Sequence, residues 1–380
     1  KATSMKNILI TGGAGFIGSN LTMKLVSLGY DVTILDNLSE QIHGNYLESA
    51  LYNSVKDISN FIKGDVRNKA DWKKALQGQN AVIHLAAETG TGQSMYDTEK
   101  YNNVNVEGTK KLIEILGNEN HQIQKILIAS SRAIYGEGKY FCKKHGITYP
   151  EKRKEYDLKK GKFNSICEKC NIELQLLPTD EKSKIHPLSH YGETKYQQEK
   201  LIMEMGEELK ISAVSLRYQN VYGPGQSLSN PYTGILSIFS TRILNGNNID
   251  IYEDGQGSRD FVFIDDVIDA TILALENNKV NNEVFNVGSG VGTSIKVVAK
   301  LLKEKYNGNI ELVVSGKLRI GDIRHNIADL TKVNAVLGYK PQIDFKSGIS
   351  KFVDWVKTQK VQEDKYEDSI EELKQKGLIK

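Results

Sequence analysis

The chain has 380 residues, of which 39% are hydrophobic and 26% charged, and a net charge of +3. This balance is ordinary for a globular protein, and the length suits two domains or one large domain with a lobe. The sequence shows neither the basic stripe that nucleic acid requires nor an apolar run of membrane-spanning length. Lys1-Ala-Thr-Ser-Met5 has no apolar signal core and reads as an added leader before a native Met5, and the three cysteines do not form a secreted disulfide framework, so the expected location is cytoplasmic.

In chain order, Ile8-Leu-Ile10 suits a buried parallel strand. Thr11-Gly-Gly-Ala-Gly-Phe-Ile-Gly18 follows, and Phe16, Ile17, Leu21 and Leu25 recur at helical spacing up to Gly29. Asp31–Leu35 is the next strand, ending in Asp36 and Asn37. Gly12 permits a tight turn, Gly15 lets backbone approach a pyrophosphate, and Gly18 lets helix and strand pack closely. Asp36 lies 24 residues after Gly12, where a carboxylate binds ribose hydroxyls and repels a 2′-phosphate, which favours NAD over NADP. Asp65-Val66 follows a short strand. Asp65 is either an acceptor for the adenine amino group or a turn residue. Ala81–Ala87 is a strand running into Leu85, Ala86 and Ala87, whose small side chains let backbone lie against a cofactor. A helix from about 101 to 116 carries Asn105, and Lys125–Ala129 is a core strand that ends in Ser130-Ser131. Alternating strands and helices predict an α/β fold with a doubly wound parallel Rossmann-type sheet, its ligands gathered at the carboxyl ends of the strands.

Residues 139–178 break this rhythm. Cys142-Lys-Lys-His145 and Cys167-Glu-Lys-Cys170 are separated by 21 residues in a segment poor in apolar side chains. Three thiolates and one imidazole at this spacing suit a closed structural Zn2+ site; the alternative is free thiols and a loop histidine. Tyr191-Gly-Glu-Thr-Lys195 then places a phenol and an ammonium one helical turn apart. By itself this pentapeptide is common on surface helices. Beyond it come Tyr218 and Asn220 after a strand, Arg259 beside Asp260, strand-like runs at 261–264 and 283–287, and Arg319-Ile-Gly-Asp322. A charged helix at about 362–375 is expected to be exposed. The predicted division is a Rossmann domain over 5–225, to which 261–264 and 283–287 return, and a smaller lobe from 226–260 and 289–380.

These motifs resemble the extended short-chain dehydrogenase/reductases and, among them, the nucleotide-sugar 4-epimerases. The resemblance runs from about Met5 to Gly348 and rests on the glycine loop, Gly64-Asp65, His84-Leu-Ala-Ala87, Asn105-Val-Glu-Gly-Thr109, Ser130-Ser131, Tyr191-Gly-Glu-Thr-Lys195, Leu216-Arg-Tyr-Gln-Asn220 and Asn286-Val-Gly288. Gln93-Ser-Met95, Gln226–Gly234, Gly321–His325 and the cysteine insert are most similar to the dTDP-L-rhamnose 4-epimerase group; UDP-glucose/galactose 4-epimerases share the core. The resemblance implies NAD held by the residues above together with Asn105, Tyr191, Lys195 and Tyr218. It implies catalysis by Ser131, Tyr191 and Lys195, with Lys195 lowering the Tyr191 pKa. The nucleotide-diphosphate sugar would be held by Ser94, Ser131, Asn220, Arg259, Arg319 and Asp322, in a homodimer packed through the helices of Asn105 and Tyr191. Pairing with neighbouring acids, Arg259 with Asp260 and Arg319 with Asp322, is the alternative for those arginines. A 4,6-dehydratase is disfavoured because Ser131-Arg132-Ala133 lacks that enzyme's Asp-Glu pair. An NAD-binding redox sensor would not need Tyr, Lys and Ser together.

Overall fold

The computed structural model describes residues 5–232 and 234–380; Lys1–Ser4, and Thr233 within the Gln226–Gly234 motif, lie outside the described residues. Seven parallel strands form the central sheet: β1 Asn7–Thr11, β2 Asp31–Asp36, β3 Asn60–Lys63, β4 Ala81–His84, β5 Lys125–Ser131, β6 Ser212–Tyr218 and β7 Glu283–Val287. Their order is β7-β6-β5-β4-β1-β2-β3. Alternate residues of β1 feed two cores, Ile8 and Ile10 on one face and Leu9 on the other, all fully buried. β4 repeats this with Ala81 and Ile83 against Val82. Two-sided burial is why these strands read as continuous apolar runs rather than alternating ones. Strand order reverses between β1 and β4, so a crevice opens at their carboxyl ends, where the glycine loop lies. Among the helices that pack on the sheet are α1 Phe16–Ser27, α2 Gly108–Asn118 and α3 His190–Leu209. No helix among the described residues is long and apolar enough to cross a membrane.

Two expectations are corrected. The run at 261–264 does not return to the large sheet. Strand Ser258–Phe263 pairs with Asn220–Tyr222, with Gly292–Ser294 and with His325–Asn326 in a second, smaller sheet. The free edge of β6 is occupied by β7, in register from Glu283↔Val214 to Val287↔Tyr218, so Ser258–Phe263 has no place there. The tail helix, α4 Tyr366–Gln375, is not merely exposed. Tyr366, Ile370 and Leu373 are buried at i, i+4 and i+7 and pack on Tyr96, Ile238 and Tyr252, with the charges on the outer face.

The insert is a three-stranded antiparallel ribbon in which Tyr140–Cys142 pairs with Gly146–Thr148 and Gln175–Leu176. Its only apolar cluster is small and consists largely of Tyr140, Leu174 and the cysteines themselves.

His84, at the end of β4, is fully buried and meets Thr11 Oγ1 at 2.6 Å and Thr109 Oγ1 at 3.0 Å. Burial, reinforced by the Lys195 charge, pulls its pKa down to about 3. The unfolded chain therefore binds a proton at His84 below about pH 6.5 while the folded chain does not, and stability falls with decreasing pH through this window. One such group contributes a slope of at most about 1.4 kcal/mol per pH unit. Urea unfolding between pH 4 and 7 should show a shallower slope for His84→Asn than for the parent; equal slopes would refute the assignment.

Candidate active site

The glycine loop is built for close approach. Gly12 has a left-handed backbone (φ +69°), and a Cβ there would meet Ala86 N at 2.9 Å. A Cβ on Gly18 would lie 2.2 Å from Gly12 O. Helix α1 begins at Phe16 with no side-chain cap and no acid in its first turn, so its amino end is free to face an anion. A dinucleotide pyrophosphate fits this cradle. Gly18→Ala should separate α1 from the loop, and dinucleotide occupancy of the purified protein should fall at least about tenfold; retained occupancy, read from absorbance after denaturation, would contradict this.

Asp36 ends β2 and also braces the loop, accepting from Ala14 N at 3.0 Å and Leu38 N at 2.8 Å. Burial pushes its pKa up, while those N–H groups and His43 oppose the rise. Each oxygen keeps acceptor capacity for a ribose hydroxyl. Asp65 lines the cavity that the glycine loop faces and also holds its turn: Arg67 grips it from side chain and backbone, and Asn37 donates to it at 3.1 Å.

A cavity of about 630 Å³ runs from the glycine loop to the second lobe. Every residue assigned above to catalysis, cofactor or sugar lines it, except two. Asn105 sits on a π-helical stretch, Asn102–Glu107, and its amide is committed to the Glu88 backbone and Thr194 Oγ1. It therefore positions the loop after β4 and does not face the cavity. Ser94 is fully buried, donates to Thr91 O and accepts from Tyr191 N at 2.9 Å, so it supports the start of α3.

Tyr191 enters the cavity because α3 starts against the turn after β5. Ser189 caps the helix through Gly192 N at 3.0 Å, and a Cβ on Gly192 would lie 2.7 Å from Ala133 O. This contact brings Ser131 to the Tyr191 phenol, with both lining the cavity. Burial raises the phenol's pKa; the Ser131 hydrogen bond and the Arg132 charge pull it back. Lys195 lines the same cavity. Its Nζ donates to Gln198 Oε1 at 2.5 Å, and burial lowers its pKa to about 7 against the opposing charge of Glu199. The Arg132 guanidinium is a charge that lowers the pKa of the Tyr191 phenol.

In the second lobe, Arg259 donates to Asp322 Oδ1 at 3.1 Å and to the carbonyls of Ile323 and Arg324. It does not pair with Asp260, which is buried and receives Ser289 N, Gly290 N and Ala328 N. Burial would raise Asp322, but Arg259, Arg319, Arg153 and Arg132 hold it below the ordinary carboxylate value. Arg319 stacks 5.4 Å from the Tyr252 ring. Tyr252 and Tyr366 also line the cavity, from a loop and from α4. Sequence reading missed both, although the 366/370/373 spacing carried a signal for the second.

Apart from the cavity, Cys142, His145, Cys167 and Cys170 converge, with all four ligand atoms within 4.8 Å of one another. Cys142 Sγ lies 3.6 Å from Cys170 Sγ and 3.5 Å from His145 Nδ1, and Cys167 Sγ lies 3.5 Å from that nitrogen. A tetrahedron with Zn–S of about 2.3 Å has sulfur–sulfur edges of about 3.8 Å, so the cluster has the size of a zinc site. Backbone N–H groups of Lys144 and His145 point at the Cys142 sulfur, and those of Lys169 and Cys170 at Cys167.

The NAD dependent epimerase/dehydratase family matches residues 8–177 and 173–288. A dTDP-L-rhamnose 4-epimerase of Burkholderia thailandensis is 37% identical over 354 residues, 92% of this chain and 95% of the relative. The UDP-glucose 4-epimerase of Thermotoga maritima, solved with UDP-glucose, superposes with a TM-score of 0.75 at 31% identity, covering 93% of this chain and 99% of that one. A UDP-glucuronic acid 4-epimerase from Bacillus cereus, solved with UDP-glucuronic acid and NAD, gives a TM-score of 0.74 at 27% identity over 93% and 99% of the two chains. With its glycine loop, its Ser131–Tyr191–Lys195 cluster and its seven-stranded parallel sheet, the chain belongs to the NAD dependent epimerase/dehydratase family, as an extended short-chain dehydrogenase/reductase of the nucleotide-sugar epimerase type.

Proposed function

We propose that this isomerase, a nucleotide-sugar 4-epimerase, interconverts dTDP-L-rhamnose and dTDP-6-deoxy-L-talose. The observation that carries the reaction is Tyr191 beside Ser131 in the same cavity as the dinucleotide loop. Tyr191 Oη takes the proton of the C4 hydroxyl, and Ser131 holds that hydroxyl and passes the proton. NAD, when bound, supplies the hydride acceptor and donor for C4. Lys195, one turn beyond Tyr191, is placed for the nicotinamide ribose. Arg259 and Arg319 fix the diphosphate, so the sugar is the part that turns between the two hydride transfers. Inversion with no net oxidation fits Arg132 and Ala133 after Ser131, because elimination of water needs an acid pair there.

The rhamnose assignment is supported by the similarity to the Burkholderia enzyme over 92% of the chain. UDP-glucose/UDP-galactose is the second reading, favoured by the likeness to the Thermotoga structure. Incubation with dTDP-, UDP-, GDP- and CDP-sugars, with products separated by C4 stereochemistry, tests both. Inversion of dTDP-L-rhamnose alone is the expected result, and turnover confined to UDP-hexoses overturns the rhamnose assignment.

The Cys142–His145–Cys167–Cys170 cluster fits a structural Zn2+, with four protein ligands leaving no open position. One zinc per chain in protein purified without added metal is expected; a ratio near zero with three reactive thiols would refute it. The same reading pairs two copies through α2 and α3, which carry the half-buried Ile113 and Met203. A monomer in sedimentation velocity overturns that pairing.

A further inference from the structure

We propose that Arg153 is a positioning residue that ties the metal-closed insert to the diphosphate pocket, so that metal occupancy sets affinity for the nucleotide half of the substrate. This rests on the 4-epimerase reading only for what binds in the pocket.

Arg153 lies on the segment between the two knuckles, and its side chain is 6% exposed. All five guanidinium donors are engaged. Nε donates to Glu137 Oε1 at 3.2 Å. Nη1 donates to Glu253 Oε2 and Phe163 O, both at 2.9 Å. Nη2 donates to Glu253 Oε1 at 2.8 Å and Asp322 O at 3.0 Å. Each acceptor outside the insert bears on the cavity. Glu253 and Asp322 line it. The Asp322 carboxylate receives Arg259, and Glu137 Oε2 receives Arg324 N at 3.0 Å, fixing the backbone whose carbonyls also hold Arg259. Glu253 has a left-handed backbone (φ +52°), a strained state for a residue with a side chain, and the bidentate grip of Arg153 is one of the contacts that holds it there. A second insert residue joins in, since Asn164 Oδ1 accepts from Arg324 Nε at 2.9 Å.

The insert cannot hold this geometry through its own core. Its apolar cluster is too small, and the four metal ligands bracket residues 146–166, which carry both Arg153 and Asn164. Closing the knuckles thus fixes the base from which Arg153 reaches across. The linked groups hold substrate and do not perform the chemistry, so Tyr191 and the dinucleotide loop should be indifferent to the insert.

The test is calorimetric titration of dTDP and UDP into zinc-loaded, NAD-loaded protein. Arg153→Gln should weaken nucleoside diphosphate binding by about tenfold or more, with zinc and dinucleotide content unchanged. Arg153→Lys, with three donors in place of five, should restore only part. Removal of the metal from the parent protein should weaken binding by the same factor, and removal from Arg153→Gln should add little. By reciprocity, saturating dTDP should slow chelator stripping of the parent's zinc but not that of Arg153→Gln. Unchanged affinity in Arg153→Gln, or stripping of the parent that ignores dTDP, overturns the proposal. Neither result bears on C4 inversion, which the sugar panel decides separately.

Discussion

Tyr191→Phe should leave the fold and the bound dinucleotide intact and reduce turnover of the nucleotide sugar by about 10²–10⁴-fold, the range that general acid–base groups supply. The phenyl ring keeps the edge contact with Tyr101, whose centroid lies 6.4 Å away, and α3 keeps its Ser189 cap, so the loss is confined to the hydroxyl. Ser131 loses its phenol partner but still accepts from Ala133 N at 3.1 Å. The measurement is kcat on the preferred sugar together with nucleoside diphosphate affinity. Unchanged kcat would remove Tyr191 from the chemistry. Arg132→Gln should act on the same group more mildly: the positive charge that lowers the phenol's pKa disappears, so the acidic limb of activity, where the phenol must lose its proton to act as base, moves to higher pH.

Arg217→Met should destabilise the protein by about 3–5 kcal/mol, the cost of leaving a buried partner charge unpaired. Arg217, on β6, grips Glu199, on α3, at 2.6 Å and 3.1 Å, and the two side chains are 6% and 5% exposed. It also donates to Tyr135 at 2.7 Å, and Tyr135 in turn donates to Asn286 on β7. One guanidinium thus binds the catalytic helix to adjacent strands of the sheet. Replacing both members, Arg217→Met with Glu199→Met, should lose less than the single change, because no charge is stranded. Urea unfolding of the three proteins decides it, and a single variant as stable as the parent would show that the pair contributes nothing. The effect should also reach Lys195, one turn before Glu199. With Arg217 gone, Glu199 is less neutralised and holds the Lys195 proton to higher pH.

The cofactor half of the site was legible in the sequence because it is local. Gly12, Gly15, Gly18 and Asp36 need only a strand, a turn, a helix and a second strand in succession, and all four signals lie within 40 residues of one another. The metal ligands were legible for the same reason, since a knuckle is a short-range device. Strand Ser258–Phe263 was misplaced because its pairing depends on which strand fills the last edge of the large sheet, and no property of its own residues records that. Asn105 and Ser94 were assigned to ligands, yet the first serves the backbone after β4 and the second the start of α3. They are needed near the site without touching its contents, a distinction that a motif does not carry. The contact of Lys195 with Gln198 was not legible, because Gln198 has no sequence signature of its own.

The threading of the chain between its two sheets has an evolutionary consequence. The backbone leaves the large sheet after β6, builds part of the small sheet, returns for β7 and departs again for Gly292–Ser294 and His325–Asn326. No single recombination junction separates the lobe that meets the sugar from the lobe that carries the dinucleotide loop. Such an architecture cannot acquire a new sugar by shuffling whole modules. It must change by point substitution around the cavity or by lengthening a loop in place, and the cysteine-bearing ribbon at 139–178 has the form of such an addition.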